Sequence, residues 1–266
     1  MDELSMQLHA ASPLDDKLYA PSSKEVAFFQ RMTGIVDEDR LREHILTIWR
    51  DTFQIHPFPC IRIFSFTSLK LAGHFAYEHA LHLGRTDTDG LFLDIGCCMG
   101  TDVLKLASDG FPAERIRALD LYSDPPTVTD ACDTRTLLLS EDPFHELYGN
   151  CIAVSAFNLF HLFSWDEQDA LVFKIAAFLS RRPRSIVFGS HLGKREKGIR
   201  MNPQGVEQYL HSPASWEALW HGEGRPFGAG EVEVKVFLQK PGRNAIVPVR
   251  NASDETQLLF WNLEFL

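Results

Sequence analysis

The feature that most constrains the fold is a glycine turn set between a short apolar run and a helix. Residues 91–93 are apolar and predict a buried strand, the turn runs from Asp94 to Gly100, and residues 102–108 predict a helix. In sheets built from alternating strands and helices, a strand–glycine turn–helix unit lies at the crevice where cofactors bind. The turn therefore predicts an α/β fold with a binding crevice beside residues 94–100.

Further short apolar runs alternate with helical patterns along the rest of the chain, which predicts a parallel sheet with helices on both faces. Acidic and apolar residues alternate near the end of the chain, and a last apolar run follows. These two late strands suit an antiparallel edge on the sheet. The predicted strands after the first are 117–121, 136–139, 151–156, 185–189, 231–239 and 257–266, and the main later helix is 166–179.

The N-terminal third reads as helical. Ser22 and Glu25 form a capping-box pattern before an apolar run, and acidic residues precede a second helix with Leu41, Ile45 and Ile48 on one face. Residues 71–83 predict another short helix. We therefore expect two parts, an N-terminal helical extension or lid over residues 1–84 and a Rossmann-like domain over residues 85–266.

The net charge and the cysteine content of the chain restrict the binding partners and the cellular location that we expect. The formal net charge is -10, so phosphate backbones and anionic lipid surfaces are disfavoured partners, and no nucleic acid or membrane is expected. The start of the chain lacks a signal-peptide pattern, and five cysteines give neither a disulfide framework nor a metal pattern. We expect a cytoplasmic protein without a metal site. The oligomeric state stays open, with a homodimer as one option.

The turn offers two kinds of attraction to a ligand. Glycines permit close backbone approach, and the N-terminus of the following helix suits a carboxylate or a phosphate. The carboxylate of Asp94 could attract an ammonium group, so an amino-acid-bearing cofactor such as S-adenosylmethionine fits. Residues 97–99 are bulkier than a dinucleotide site prefers. Asp120 ends the second strand, where an acid can bind ribose hydroxyls in either cofactor class.

Several motifs resemble those of fungal methyltransferases from polyketide and meroterpenoid pathways, over a range from about residue 15 to the C-terminus. The resemblance implies a class I methyltransferase-like fold with a mostly parallel seven-stranded sheet. It also implies S-adenosylmethionine as cofactor and methyl transfer to oxygen or carbon of a hydrophobic secondary metabolite. The motifs that carry it are Leu93 to Asp102, His56 to Arg62, Phe160 to Trp165, Asn202-Pro203 and Ser215 to Trp220.

The resemblance also implies roles for single residues. Asp94, Gly96 and Gly100 would surround the methionine part of the cofactor, and Cys98 would also belong to the cofactor site. Asp120 would hold the ribose, and Glu141 or Asp142, just after the third strand, would face the adenine amino group. Both acids stay open for that last role.

One segment departs from the family pattern. The connection from residue 123 to 130 is short and contains two consecutive prolines, where family members carry a helix beside the adenosine. This departure keeps a second hypothesis open, a methyltransferase-fold cyclase or isomerase that transfers no methyl group. A third hypothesis is a non-catalytic partner of another methyltransferase.

Candidate catalytic groups are few, because methyl transfer depends mainly on alignment. His161 follows the fourth predicted strand and could act as a general base, although a histidine that only fixes the loop is the more ordinary interpretation. His191 is a second candidate. Cys97 and Cys98 are expected to act as small apolar side chains. Aromatic residues are abundant; most are expected in the core, and some could form a roof for a hydrophobic substrate.

Overall fold

Six strands form one central sheet in the computed structural model, which describes residues 13–55, 57–120, 145–202, 205–240 and 255–266. The spatial order is β2-β1-β3-β4-β8-β7; the first four strands are parallel and the last two are antiparallel to their neighbours. This confirms the mostly parallel, class I methyltransferase-like sheet with an antiparallel edge. The strands are β1 (Leu91–Ile95), β2 (Ile116–Leu119), β3 (Cys151–Phe157), β4 (Ile186–Gly193), β7 (Val232–Gln239) and β8 (Gln257–Phe265).

The strand count differs from the expected seven. Within the described ranges the sheet has six strands, and the strand predicted over residues 136–139 lies outside those ranges. A separate two-stranded antiparallel sheet, β5 (Gly198–Met201) with β6 (Glu207–Leu210), follows β4 and had no counterpart in the sequence prediction.

Helices cover both faces of the sheet, as predicted. On one face, α4 (Tyr77–Thr86) and α5 (Thr101–Ser108) pack against Phe92, Ile152 and Phe188. On the other, α6 (Trp165–Phe178) and α7 (Pro213–Trp220) cover apolar side chains that include Leu93, Val154 and Val187. All seven residues of β3 are buried, which is the pattern of a central parallel strand covered on both faces.

The N-terminal region forms its own apolar cluster. Ser22 and Glu25 make the predicted capping box, and helix α1 (Ser23–Thr33) ends at Gly34 in the left-handed conformation. Helix α2 (Glu38–Ile55) buries Leu41, Ile45 and Trp49, whereas the predicted Ile48 is only half-buried. A short helix, α3 (Pro59–Arg62), follows.

The helix predicted over residues 71–83 begins and ends later, at Tyr77 and Thr86. The backbone N–H of Leu71 donates to the carboxylate of Asp102, and the N–H of Ala76 donates to the His74 ring. Because the Ala76 N–H bonds to the His74 ring, it is not available to the carbonyl four residues earlier, and a regular helix does not run through this segment. Among the described helices, none is long and apolar enough to cross a membrane.

Candidate functional site

The glycine turn is fastened to the end of β2. Backbone N–H groups of Gly96 and Cys97 donate to the carbonyl of Leu119 at 2.7 and 3.1 Å, and the N–H of Cys98 donates to the Asp120 carboxylate. Gly96 and Gly100 have φ angles of 82° and 74°, in the region that favours glycine. The turn therefore joins the carboxyl ends of two adjacent parallel strands, as an α/β binding crevice requires.

Asp94 lies near the carboxyl end of β1 with 4% of its surface exposed. Strands β1 and β3 pair Asp94 with Ser155, whose hydroxyl donates to the carboxylate at 2.5 Å. Burial raises the pKa of Asp94 to about 7, against the opposing effect of the Ser155 hydrogen bond. A buried carboxylate of this kind gains stability from a cation placed beside it.

A cation of the chain itself lies nearby. Lys70 Nζ is 3.2 Å from Asp102 Oδ2, and it donates to the Ser65 carbonyl at 3.2 Å. Burial lowers the pKa of Lys70, but attraction to Asp102 and to neighbouring groups outweighs burial and raises it. Sequence reasoning missed Lys70 and Ser155, and it gave Asp102 no role, because their contacts depend on chain segments far apart in sequence.

The N-terminal cluster packs against the same turn. Cys98 and Met99 contact the aromatic and aliphatic group that includes Trp49, Phe64 and Phe66. Burial raises the pKa of the Cys97 thiol, and contact with Cys60 and burial raise that of Cys98. Both directions agree with apolar rather than nucleophilic roles. The helices before residue 67 thus pack directly against the turn.

His161 lies in the short 3-10 helix after β3, and its exposed fraction is 7%. Burial, with repulsion from Arg200, lowers its pKa to about 3. The imidazole is therefore neutral near pH 7 and a weak proton acceptor. His191, on β4, is also buried, and its pKa is lowered well below the usual value. A general-base role for His161 stays a prediction.

The structure describes some of the predicted cofactor-binding residues and leaves others outside the described ranges. Asp94, Gly96, Cys98, Gly100 and Asp120 come together around the turn, as expected. Glu141, Asp142 and the shortened connection from 123 to 130 lie outside the described residues.

The aromatic side chains proposed as a roof mostly belong to the core. Of the aromatic residues considered for the roof, those that are buried are Phe64, Phe66, Tyr77, Phe157, Phe160, Phe163, Trp216 and Trp220.

Within the described ranges, no group of three histidine, cysteine or acidic side chains is arranged to hold a metal ion.

The sequence of the chain is similar to the sequences of known fungal methyltransferases. The profile of a family described as "Meroterpenoid methyltransferase N-terminal domain" matches residues 14–67. The O-methyltransferase phiE of a fungal species is 29% identical over 198 residues, which is 70% of this chain and 66% of that protein. The asnovolin E/chermesin D methyltransferase nvfJ of Aspergillus novofumigatus is 27% identical over 191 residues, 67% of this chain and 68% of that protein. The match therefore spans about two thirds of each relative.

Structural comparison gives matches of modest score. The 1,6-didemethyltoxoflavin-N1-methyltransferase of Burkholderia thailandensis, with bound S-adenosylhomocysteine, aligns over 96% of this chain and 94% of that chain, with a TM-score of 0.46 and 12% identity. The [4+2]-cyclase SpnF aligns over 71% of this chain and 81% of that chain, with a TM-score of 0.46 and 16% identity. The chain is thus similar in sequence to fungal methyltransferases over about 70% of its length, and its residues 14–67 match the N-terminal domain of meroterpenoid methyltransferases.

Proposed function

We propose that the chain is an S-adenosylmethionine-dependent methyltransferase that acts on a hydrophobic small molecule of the polyketide or meroterpenoid kind. The observation that carries the proposal is the pair of acids at the ends of β1 and β2, joined by the glycine turn. Asp94 is buried with a raised pKa, and Asp120 holds the turn through the N–H of Cys98. The names of the sequence relatives support the same activity.

The residues present fit this cofactor. The ammonium group of its methionine part would compensate the buried charge of Asp94, and the left-handed glycines leave the backbone open to close approach. Asp120 would bind the ribose hydroxyls. When bound, the cofactor supplies an electrophilic methyl group on a sulfonium. The chain aligns the acceptor with that group and excludes water.

Calorimetry with S-adenosylhomocysteine tests the proposal. We expect binding by the full chain, and a marked loss of affinity in Asp94→Ala and Asp120→Ala while both variants keep the circular dichroism of a folded protein. No binding at millimolar ligand would sink the proposal. Product of unchanged mass, formed equally well without S-adenosylmethionine, would instead support the cyclase or isomerase hypothesis.

Three further expectations belong to the same proposal. The N-terminal helices act as a lid; because the expected division between residues 84 and 85 falls inside α4 (Tyr77–Thr86), the lid consists of α1 to α3. The protein works in the cytoplasm, and a homodimer is the oligomer to test first. Limited proteolysis, fractionation of the producing cells and light scattering address them in turn.

A further inference from the structure

Lys70 is held between the 3-10 helix Ser65–Thr67 and the first turn of α5. Its ammonium group lies 3.2 Å from Asp102 Oδ2 and donates to the Ser65 carbonyl at 3.2 Å. The other carboxylate oxygen of Asp102 accepts the backbone N–H of Leu71 at 3.0 Å. One acidic side chain therefore fixes both the backbone beside the lysine and its ammonium group, at the start of the helix that follows the glycine turn.

The ammonium group of Lys70 is charged and has an N–H donor left for a ligand. Such a group has three donors. Asp102 and the Ser65 carbonyl accept two of them, and the third has no acceptor among the described residues. Burial lowers the pKa of Lys70, but attraction to Asp102 and other neighbours outweighs burial and raises it, so the charge persists near pH 7. The side chain of Lys70 is 23% exposed, whereas that of Asp102 is 8% exposed, so the lysine is the more accessible partner of the pair.

The start of α5 offers further donors beside this cation. Gly100 is the N-cap residue of the helix, and no side chain accepts a hydrogen bond there from the N–H groups of the first turn. Apart from its chain neighbours, a methyl group added at Gly100 would come within 4 Å of one described side chain, that of Val103 at 3.5 Å. The N–H groups and the lysine at this helix start together favour an anion.

Asp94 and Lys70 influence each other's charge. Burial raises the pKa of Asp94, and attraction to Lys70 lowers it. Asp94 in turn raises the pKa of Lys70, although burial and Asp102 have larger effects. The site thus places an acid that lacks a close cation near a cation that has a donor left.

This arrangement matches the amino-acid end of S-adenosylmethionine, in which an ammonium group and a carboxylate are attached to one carbon atom. Under the proposed function the ammonium group lies beside Asp94. The carboxylate must then lie within a few ångströms of the ammonium group, so a cation that acts on Asp94 is in a position to stabilise it.

We propose that Lys70 binds the carboxylate of the methionine part of S-adenosylmethionine, beside the first turn of α5. This inference rests on the proposed function and adds the residue that makes the site selective for a zwitterion. Asp102 is then a positioning residue, because it holds the ammonium group in place and leaves one of its donors for the ligand.

Calorimetry with two ligands tests the inference: S-adenosylhomocysteine, and its decarboxylated analogue, in which a hydrogen atom replaces the carboxylate. We expect Lys70→Met to weaken the binding of S-adenosylhomocysteine about tenfold, because a charge-assisted hydrogen bond is lost. The same change should not weaken the binding of the decarboxylated analogue. Lys105→Met is the matched control, since Lys105 is also paired with an acid of the same helix region, Asp109, and it should leave both affinities unchanged.

A second variant removes the effect of an unpaired acid. Lys70→Met leaves the carboxylate of Asp102 without its cation, whereas in the double variant Lys70→Met with Asp102→Asn both charges are absent and the amide oxygen still accepts the Leu71 N–H. The double variant should show the same selective loss, and circular dichroism checks that each variant is folded.

The outcomes separate this inference from the proposed function. Equal losses for the two ligands, or an affinity for S-adenosylhomocysteine that neither lysine variant changes, would overturn the role of Lys70 and leave the proposed function standing. No binding of S-adenosylhomocysteine by the unaltered chain would instead contradict the proposed function, and the inference with it.

Discussion

The molecule buries polar groups in two regions, and burial acts on them in opposite directions. At the glycine turn the central group is an acid, Asp94, and burial raises its pKa to about 7. In a second cluster, formed by His161, His191, His211 and Trp216 on the α6–α7 face of the sheet, the titratable groups are histidines, and burial lowers the pKa of His161 to about 3 and of His211 to about 4. Desolvation favours the neutral form in both cases.

The difference indicates what each region can bind. When a cation binds beside a carboxyl group that titrates near pH 7, it stabilises the ionised form of that group, and the two charges attract each other. Neutral imidazole and indole groups can form hydrogen bonds, but they carry no charge. The turn can therefore stabilise a cation beside Asp94, whereas the histidine cluster stays uncharged near neutral pH.

The largest expected effect comes from removing the acid. Asp94→Asn should weaken S-adenosylhomocysteine binding by at least 30-fold, because about 2 kcal/mol of charge-assisted hydrogen bonding is lost. The same change should stabilise the unliganded chain at pH 8 by about 2 kcal/mol, since the amide needs no buried charge. Calorimetry and urea unfolding measure the two effects.

The matched variant for this prediction is Ser155→Ala, which keeps the charge and removes its hydrogen bond. It should destabilise the chain at pH 8, opposite to Asp94→Asn. Unchanged affinity in Asp94→Asn would show that the turn does not receive the charged end of the ligand.

The second-largest effect is expected from a change in the backbone conformation of the turn. In Gly96→Ala the new methyl group meets a φ of 82° and lies 3.4 Å from the Leu159 side chain. We expect a loss of about 1–2 kcal/mol in unfolding free energy and about a tenfold loss of affinity, because the turn must shift. Gly34→Ala, at a φ of 72° with nothing within 4 Å, should lose stability alone. A loss of affinity in both variants would mean that stability, not turn geometry, controls binding.

The pH dependence of stability should separate the two regions. Below about pH 6.5 the unfolded chain protonates its histidines, whereas folded His161 and His211 stay neutral, so stability is lost as pH falls. Asp94 acts oppositely: between about pH 7 and 4 the folded chain binds its proton before the unfolded chain does, so stability is gained.

Urea unfolding from pH 8 to 5 tests these signs. His211→Gln should reduce the acid loss by about 2 kcal/mol at pH 5, and Asp94→Asn should increase it. The exposed His82→Gln is the control and should leave the slope unchanged. Identical slopes in all four proteins would remove the contrast between the two regions.

The sequence predicted the turn well because its signals are local. Residues 91–108 contain an apolar run, two glycines and a helix start within one short segment, and the structure assembles them as expected. The apolar β3 and the alternating pattern of β7 are equally local. Elements of this kind can be recognised without knowledge of the rest of the chain.

Contacts between distant segments were not predictable. Ser155 meets Asp94 only through the register of β1 with β3, and Lys70 meets Asp102 only because the chain before α4 folds over α5. His161, His191, His211 and Trp216 come from four separate segments of the chain. Single residue types such as histidine carry no local pattern that would bring them together, and the later start of α4 has the same cause.

The smallest expected effect tests how far the charges at the turn depend on one another. Attraction to Lys70 lowers the pKa of Asp94, against the larger effect of burial. In Lys70→Met that attraction is absent, so the pKa of Asp94 should rise, and the pH midpoint of S-adenosylhomocysteine binding should rise with it by about half a unit. Calorimetry between pH 6 and 9 measures the midpoint, and Lys24→Met, on the exposed side of α1, is the control. An unchanged pH midpoint of binding would mean that Lys70 interacts with Asp102 but does not influence the ionisation of Asp94. A shift confined to Lys70→Met would mean that the chain uses its own cation to keep Asp94 ionisable until the ligand's cation arrives.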